Sequence, residues 1–208
     1  MLVMRPELSV VALILLAMSV AAVVDRLESS AVEAQEHLMR VFGVCQPPTV
    51  HMIHEDLDPQ YLGSIRARPF RAGLDAEAAV SDLGLLPSML GVSHLVVVWD
   101  NVDLSLALVQ PGRVSGLVVL VADRTSHTLR WHPFDTRPAV NERGEPTSTP
   151  TWAPVQHYPQ AKLPEPIVYL LELWRVYHRG DVAVLIEQLA AAGFRMSMTK
   201  RDVAVRAT

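Results

Sequence analysis

A continuous run of apolar residues near the start of the chain is the strongest feature of its hydrophobic pattern. The residues from Leu8 to Val24 include no charged residue, glycine or proline. A helix rises 1.5 Å per residue, so this run would extend over about 25 Å, close to the shortest length that crosses the hydrocarbon core of a bilayer. The pattern therefore predicts a transmembrane helix that anchors the protein in a membrane.

Two other interpretations of this run remain open. The small residues from Ser19 to Ala22 would allow a signal peptidase to cleave the chain there. Alternatively, the run is the buried half of a helix in a cytoplasmic protein. The anchored form is our expectation, and a cytoplasmic protein is the alternative.

The helical pattern continues beyond the apolar run. Pro6 near its start and Gly43 beyond its end predict one long helix in an N-terminal segment over residues 1–46. Apolar residues in the second half recur at alternating spacings of three and four, as in the packed seam of a coiled coil. We expect the protein to associate with itself through this seam, which consists of Val24, Leu27, Ala31, Ala34, Leu38 and Val41.

The rest of the chain, residues 47–208, is predicted to form one α+β domain. A strand is expected over 49–54 and a helix over 75–85. Four further strands are expected to form an antiparallel meander, since turn residues rather than helical patterns separate their apolar positions. These strands are predicted over 94–99, 104–109, 117–121 and 127–132.

Proline divides the second half of the chain. Residues 133–166 are rich in proline, which has no backbone donor and disfavours regular pairing, so we expect a long loop there. Two amphipathic helices, over 166–180 and 181–193, would then form a hairpin that covers one face of the meander, and a strand is expected over 194–198. The predicted fold is α+β: a long N-terminal helix and a four-stranded meander covered by a C-terminal helical hairpin.

Composition narrows the classes of function. The formal net charge is -4, the two lysines, Lys162 and Lys200, stand far apart and the arginines are scattered, so no basic stripe is available for a phosphate backbone. Nucleic-acid binding is therefore not expected. Cys45 is the only cysteine, which excludes a disulfide within the chain and a zinc site built from several cysteines.

The densest polar cluster follows the first predicted strand and consists of His51, His54, Glu55 and Asp56. Imidazole and carboxylate groups are ligands for zinc, manganese or iron. On a straight strand, however, residues 51 and 54 point to opposite faces, so one ion could reach both only if the segment bends. A solvated turn is the expected structure and no cofactor is expected, with a divalent metal as the alternative.

Three further residues are candidates for catalysis. Asp100 and Asp103 stand at the end of a strongly apolar strand, where metal-dependent hydrolases place carboxylates, although the same residues also form ordinary turns. His132, on the predicted edge strand, could serve as a general base. A glycine-rich phosphate loop and a Gly-x-Ser-x-Gly motif are both absent from the sequence.

These observations favour a noncatalytic protein-interaction module, tethered to a membrane by its N-terminal helix, that binds a protein partner or a second copy of itself. One alternative is a soluble metal-dependent hydrolase, resembling a phosphodiesterase in its chemistry, that uses Asp100, Asp103, His51 and His54. The other is a soluble structural subunit of a larger assembly, with the N-terminal helix buried against a partner.

Overall fold

The computed structural model describes residues 19–110, 114–176 and 178–199, and its centre is an eight-stranded antiparallel sheet. The order of strands across the sheet is β6-β5-β4-β3-β1-β2-β8, and β7 pairs with β5. The strands are β1 Thr49–Ile53, β2 Tyr61–Arg66, β3 His94–Asp100, β4 Gly116–Ala122, β5 His127–Val140, β6 Pro146–Trp152, β7 Gln156–Pro159 and β8 Arg195–Met198.

Helices pack on both faces of this sheet. The helices are α1 Val20–Phe42, α2 Leu74–Ser81, α3 Leu85–Met89, α4 Asn101–Ala107, α5 Glu165–Arg175 and α6 Val182–Ala191, and a 3-10 turn, Asp82–Gly84, joins α2 to α3. The α+β class is thus correct, but the predicted four-stranded meander is wrong because the sheet has eight strands.

The central strands are apolar throughout because both of their faces are covered. On β3, Val97 and Trp99 belong to the larger core, which includes residues of α2, α3, α5 and α6. Val96 and Val98 point to the other face, where they pack with Val24 of α1. We call this second face the α1 face and the first the opposite face. Burial on two sides explains why β3 reads as an uninterrupted apolar run rather than an alternating one.

The N-terminal helix α1 has defined ends and lies on the sheet. The Ser19 side chain accepts a hydrogen bond from the N–H of Ala22 at 3.3 Å, and Gly43 ends the helix in a left-handed conformation with φ of 67°. The side chains of Val24, Ala31 and Met39 are buried. One side of α1 is therefore occupied by the protein's own sheet.

The prediction of a membrane anchor is contradicted. None of the helices that the structure describes is both long and apolar enough to cross a membrane. Helix α1 begins at Val20, and from there its sequence alternates buried and exposed positions. Residues 8–18 of the apolar run lie outside the described residues.

The predicted strand over 104–109 is also wrong, because the chain forms α4 there. The side chain of Asp100 accepts hydrogen bonds from the N–H groups of Val102 and Asp103, both at 3.0 Å, which starts a helix directly after β3. Leu104 and Leu108, four residues apart, then share one buried side. The alternation of leucines fits a strand equally well, and the cap decides between the two structures.

The proline-rich region, predicted to be a loop, instead contains most of β5 together with β6 and β7. In an antiparallel hairpin, pairs of residues that exchange backbone hydrogen bonds alternate with pairs that do not. In the hairpin of β5 and β6, the Asn141 N–H donates to Glu145 O, so the adjacent pair, Val140 and Pro146, is one without hydrogen bonds between the two residues. The same class recurs at every second pair and includes Thr136 with Pro150 and Pro138 with Ser148. These three prolines therefore stand where the pairing with the other strand needs no donor.

Candidate functional site

A large cavity lies on the opposite face of the sheet, beside helix α5. It has a volume of about 990 Å³, and aromatic rings line much of it. We call it the aromatic groove and define it by Trp99, Trp131, Tyr158, Glu165, Tyr169 and Glu172. Its size is in the range of cavities that bind small molecules.

The floor of the aromatic groove follows from strand register. Trp99 of β3 pairs with Val118 of β4, which in turn pairs with Trp131 of β5. Leu129 of β5 pairs with Tyr158 of β7 in the neighbouring row. Directly paired residues point to the same side of a sheet, so the strands β3, β4, β5 and β7 contribute two adjacent rows of large side chains.

Helix α5 forms the wall of the groove. Glu165, Tyr169 and Glu172 recur at spacings of four and three, which places them on one side of the helix. The Tyr169 hydroxyl donates a hydrogen bond to Glu165 Oε1 at 2.9 Å. That hydrogen bond and the negative charge of Glu165 raise the pKa of Tyr169. The wall therefore combines an aromatic ring with two carboxyl groups.

Glycine at position 116 lets the Trp131 ring lie directly against β4. A Cβ atom added at Gly116 would stand 2.3 Å from Cη2 of Trp131, which is less than any normal contact. Any larger residue at 116 would force this ring to move. The orientation of the Trp131 ring in the groove thus depends on the absence of a side chain at residue 116.

Trp99, which lies at the floor of the groove, has an unusual buried polar group. Its side chain is 1% exposed, and its indole N–H has no hydrogen-bond partner among the described residues. In contrast, the indole N–H of Trp174 donates to Val92 O at 3.2 Å, and that of Trp152 donates to Glu36 Oε2 at 3.0 Å. An unpaired buried donor loses about 1–3 kcal/mol relative to its hydrated state, so such groups are rare.

The predicted catalytic residues Asp100 and Asp103 lie on the other side of the sheet, close to Cys45. One ligand atom from each of these three residues lies within 4.8 Å of the others, beside a cavity of about 280 Å³. The carboxylate of Asp100 already accepts three hydrogen bonds, since its Oδ2 accepts one from Gln35 Nε2 at 3.0 Å in addition to the two from α4. These contacts give Asp100 a structural role, since its carboxylate caps α4 and also binds Gln35 of α1.

The same cluster does not favour a reactive thiol. Burial, followed by the charges of Asp100 and Asp103, raises the pKa of Cys45 to about 12. The thiol is therefore protonated at neutral pH, and the protonated form is a poor nucleophile. Neither the hydrogen bonds nor this pKa tests metal binding, so the expected absence of a cofactor and the alternative of a divalent metal both stay predictions.

The predicted metal ligands do not converge. His51 Nδ1 lies 3.1 Å from the Tyr61 hydroxyl, whereas His54 Nδ1 accepts a hydrogen bond from the Asp56 N–H at 3.3 Å. Glu55 is exposed, and its backbone N–H donates a hydrogen bond to Ser93 Oγ. Within the described part of the chain, the grouping of potential metal ligands that does occur is Cys45, Asp100 and Asp103.

His51 is expected to make stability depend on pH. Burial and the nearby Arg66 guanidinium lower the pKa of His51 to about 4, against 6.5 for the unmodified side chain. Because the folded pKa is the lower one, the stabilisation is present above about pH 6.5 and is lost as the pH falls toward 4. Urea unfolding should show a loss of roughly 2–3 kcal/mol between about pH 7.5 and about pH 4.

Two variants make this prediction specific. His51→Gln should flatten the pH dependence over that interval, while His54→Gln retains His51 and should retain the dependence. An unchanged slope in His51→Gln would show that other groups are responsible.

The third catalytic candidate, His132, contacts an acidic residue of α1. Its Nε2 lies 2.7 Å from Glu28 Oε1, and Arg130 on the same strand face contacts Glu28 and, at 3.1 Å, Asp25 Oδ1. This group links α1 to β5. A catalytic role for His132 stays a prediction.

The predicted self-association seam lies partly against the sheet. Val24 and Ala31 are buried there, Leu27 is half-buried and packs with them, and Leu38 is also half-buried. Ala34 and Val41 are exposed. Association through the remaining exposed positions stays a prediction.

No protein-family model, curated protein or solved structure matches this chain. Its function is therefore inferred from the geometry of the described residues.

Sequence reasoning did not identify the aromatic groove. Four separate segments contribute its rings, and only the order of the strands and the packing of α5 bring them together. One local pattern in the sequence pointed to the wall of the groove. Glu165, Tyr169 and Glu172 follow the period of a helix and share the side opposite to its buried apolar residues.

Proposed function

We propose that the protein is a noncatalytic binding protein that takes a small, largely apolar molecule in the aromatic groove. The observation that carries this proposal is the cavity of about 990 Å³ whose lining includes the rings of Trp99, Trp131, Tyr158 and Tyr169. The rings supply apolar contact area.

A hydrolase is less well supported by the same contacts. The imidazoles of His51 and His54 have separate partners on another part of the sheet, and the oxygens of Asp100 are engaged by backbone and side-chain donors.

The neutral dye N-phenyl-1-naphthylamine, which fluoresces in apolar surroundings, provides a direct test. We expect saturable binding of one dye molecule by the full chain. Val168→Trp adds a large ring within the groove and should weaken dye binding at least about tenfold, whereas Val184→Trp places the same ring on exposed α6 and should have little effect.

Circular dichroism should confirm that both variants are folded. Absence of saturable binding by the unmodified protein, or equal loss in both variants, would refute the proposal.

A further inference from the structure

One row of paired residues on the α1 face of the sheet carries three arginines. Arg195 of β8 pairs with Arg66 of β2, which pairs with Thr49 of β1. Thr49 pairs with Val98 of β3, and the row continues through β4 to Arg130 of β5. Because directly paired residues point to the same side of a sheet, all three arginine side chains leave the sheet on the α1 face.

The two ends of this row differ in their partners. At β5, Arg130 contacts the carboxylates of Asp25 and Glu28, which belong to α1. Helix α1 packs on β3, β4 and β6, whereas Arg66 and Arg195 on the far strands are exposed. Within the part of the chain that the structure describes, no carboxylate forms an ion pair with either of these two guanidinium groups. The positive charge of the row is therefore neutralised at β5 but not at β2 and β8.

The direct pairing of Arg66 with Arg195 is electrostatically unfavourable. Paired side chains on neighbouring antiparallel strands have Cβ atoms about 5 Å apart, and like charges in such a pair destabilise it. The charge of Arg66 also acts on His51, its diagonal neighbour on β1, because it adds to burial, the larger cause, in lowering the pKa of that imidazole. An anion bound between the two guanidinium groups would offset their repulsion.

The next row on the same face adds no negative charge beside the arginines. Ser197 of β8 pairs with Ser64 of β2, which pairs with His51. His51 is neutral at pH 7, since its pKa is about 4, and its Nδ1 lies 3.1 Å from the Tyr61 hydroxyl. Ser197 is exposed, and its hydroxyl is available to donate a hydrogen bond to an anion.

We propose that Arg66 and Arg195 form a binding site for a terminal phosphate monoester. Each guanidinium offers a planar fork of donors that matches two oxygens of a phosphate. One arginine satisfies a carboxylate, which has two oxygens and one charge, whereas a phosphate monoester has three terminal oxygens and nearly two negative charges at neutral pH. A pair of arginines is therefore better matched to the phosphate.

Phenyl phosphate provides the first test, by calorimetric titration of the full chain at about pH 7.5, where its phosphate is a dianion. Phenyl sulfate has a similar shape and three terminal oxygens but carries a single charge. We expect one molecule of phenyl phosphate to bind, at least about tenfold more tightly than phenyl sulfate. Equal affinities, or no saturable binding of phenyl phosphate, would overturn the proposal.

Substitutions locate the site. Arg66→Gln and Arg195→Gln should each weaken phenyl phosphate binding at least about tenfold. The matched variant Arg137→Gln removes an exposed arginine of the β5–β6 hairpin and should change the affinity less than about twofold. Comparable losses in all three variants would show that binding follows net charge alone, and would refute a site at β2 and β8.

Thermal unfolding separates binding from a structural role of the two arginines. Loss of either one removes the opposed charge, so neither variant should have a lower Tm than the unmodified protein. Weaker binding accompanied by a lower Tm in both variants would mean that the arginines support the fold instead.

A peptide that carries phosphotyrosine distinguishes the source of the phosphate. Tighter binding of the peptide than of phenyl phosphate would assign the site to phosphorylated protein side chains, and equal binding would assign it to small phosphate esters. The site lies on the α1 face and the aromatic groove on the opposite face, so failure of dye binding would refute only the function proposed for the groove.

Discussion

Replacement of Trp174 by alanine is expected to lower the free energy of unfolding by about 3–5 kcal/mol, because it removes the largest kind of side chain from the centre of the main core. Trp174 is fully buried. Its indole N–H donates to Val92 O, and the Arg124 guanidinium lies 4.9 Å from the centre of its ring. The loss therefore includes packing, a hydrogen bond and a cation–π contact.

Trp174→Phe provides the graded control. It retains an aromatic ring at the core but leaves Val92 O without its donor, so we expect a smaller loss of about 1–3 kcal/mol. Urea denaturation followed by circular dichroism measures both variants, and Trp174→Phe remains measurable if the alanine variant does not fold. A loss below about 1 kcal/mol for the alanine variant would mean that this indole does not support the core.

The second large effect is expected at Asp100, whose replacement by alanine should lower the free energy of unfolding by about 3 kcal/mol. The substitution removes the cap of α4. It also removes the acceptor of the buried Gln35 Nε2, which links α1 to the sheet. A buried amide that loses its acceptor adds a cost that an exposed cap does not have.

Asp181 is a closely matched control. Its carboxylate caps α6 by accepting hydrogen bonds from the N–H groups of Ala183 and Val184, as Asp100 does for α4, but Asp181 is exposed. Asp181→Ala should lower the free energy of unfolding by only about 1 kcal/mol. Equal losses in the two alanine variants would indicate that the contact between Asp100 and Gln35 contributes nothing.

The parts of the fold that could be predicted are those set by local pattern. The apolar runs that form β3 and β4 are strands in the structure, and the amphipathic periods before Gly180 and Gly193 are the helices α5 and α6. In these segments the burial of side chains and the intrinsic preferences of the residues favour the same structure.

The wrong predictions concern segments that depend on distant contacts. Leucines at every second position after Asp100 fit a strand as well as a helix, and a buried cap held by Gln35 decides the outcome. The prolines of the β5–β6 hairpin are compatible with pairing because the register places them in pairs without hydrogen bonds. The sequence alone does not reveal this register. The aromatic groove depends on the position of Tyr158 next to Leu129, and therefore on the path of the whole hairpin.

The register of the hairpin has a consequence for how the molecules behave in concentrated solution. β6 is the last strand at its end of the sheet, and its residues in pairs without hydrogen bonds turn their backbone N–H groups away from β5. Pro146 and Pro150 occupy two of these positions and have no N–H to offer. An incoming strand from another molecule would find this ladder of donors interrupted, so the hairpin edge resists the strand-by-strand growth that leads to β-aggregates.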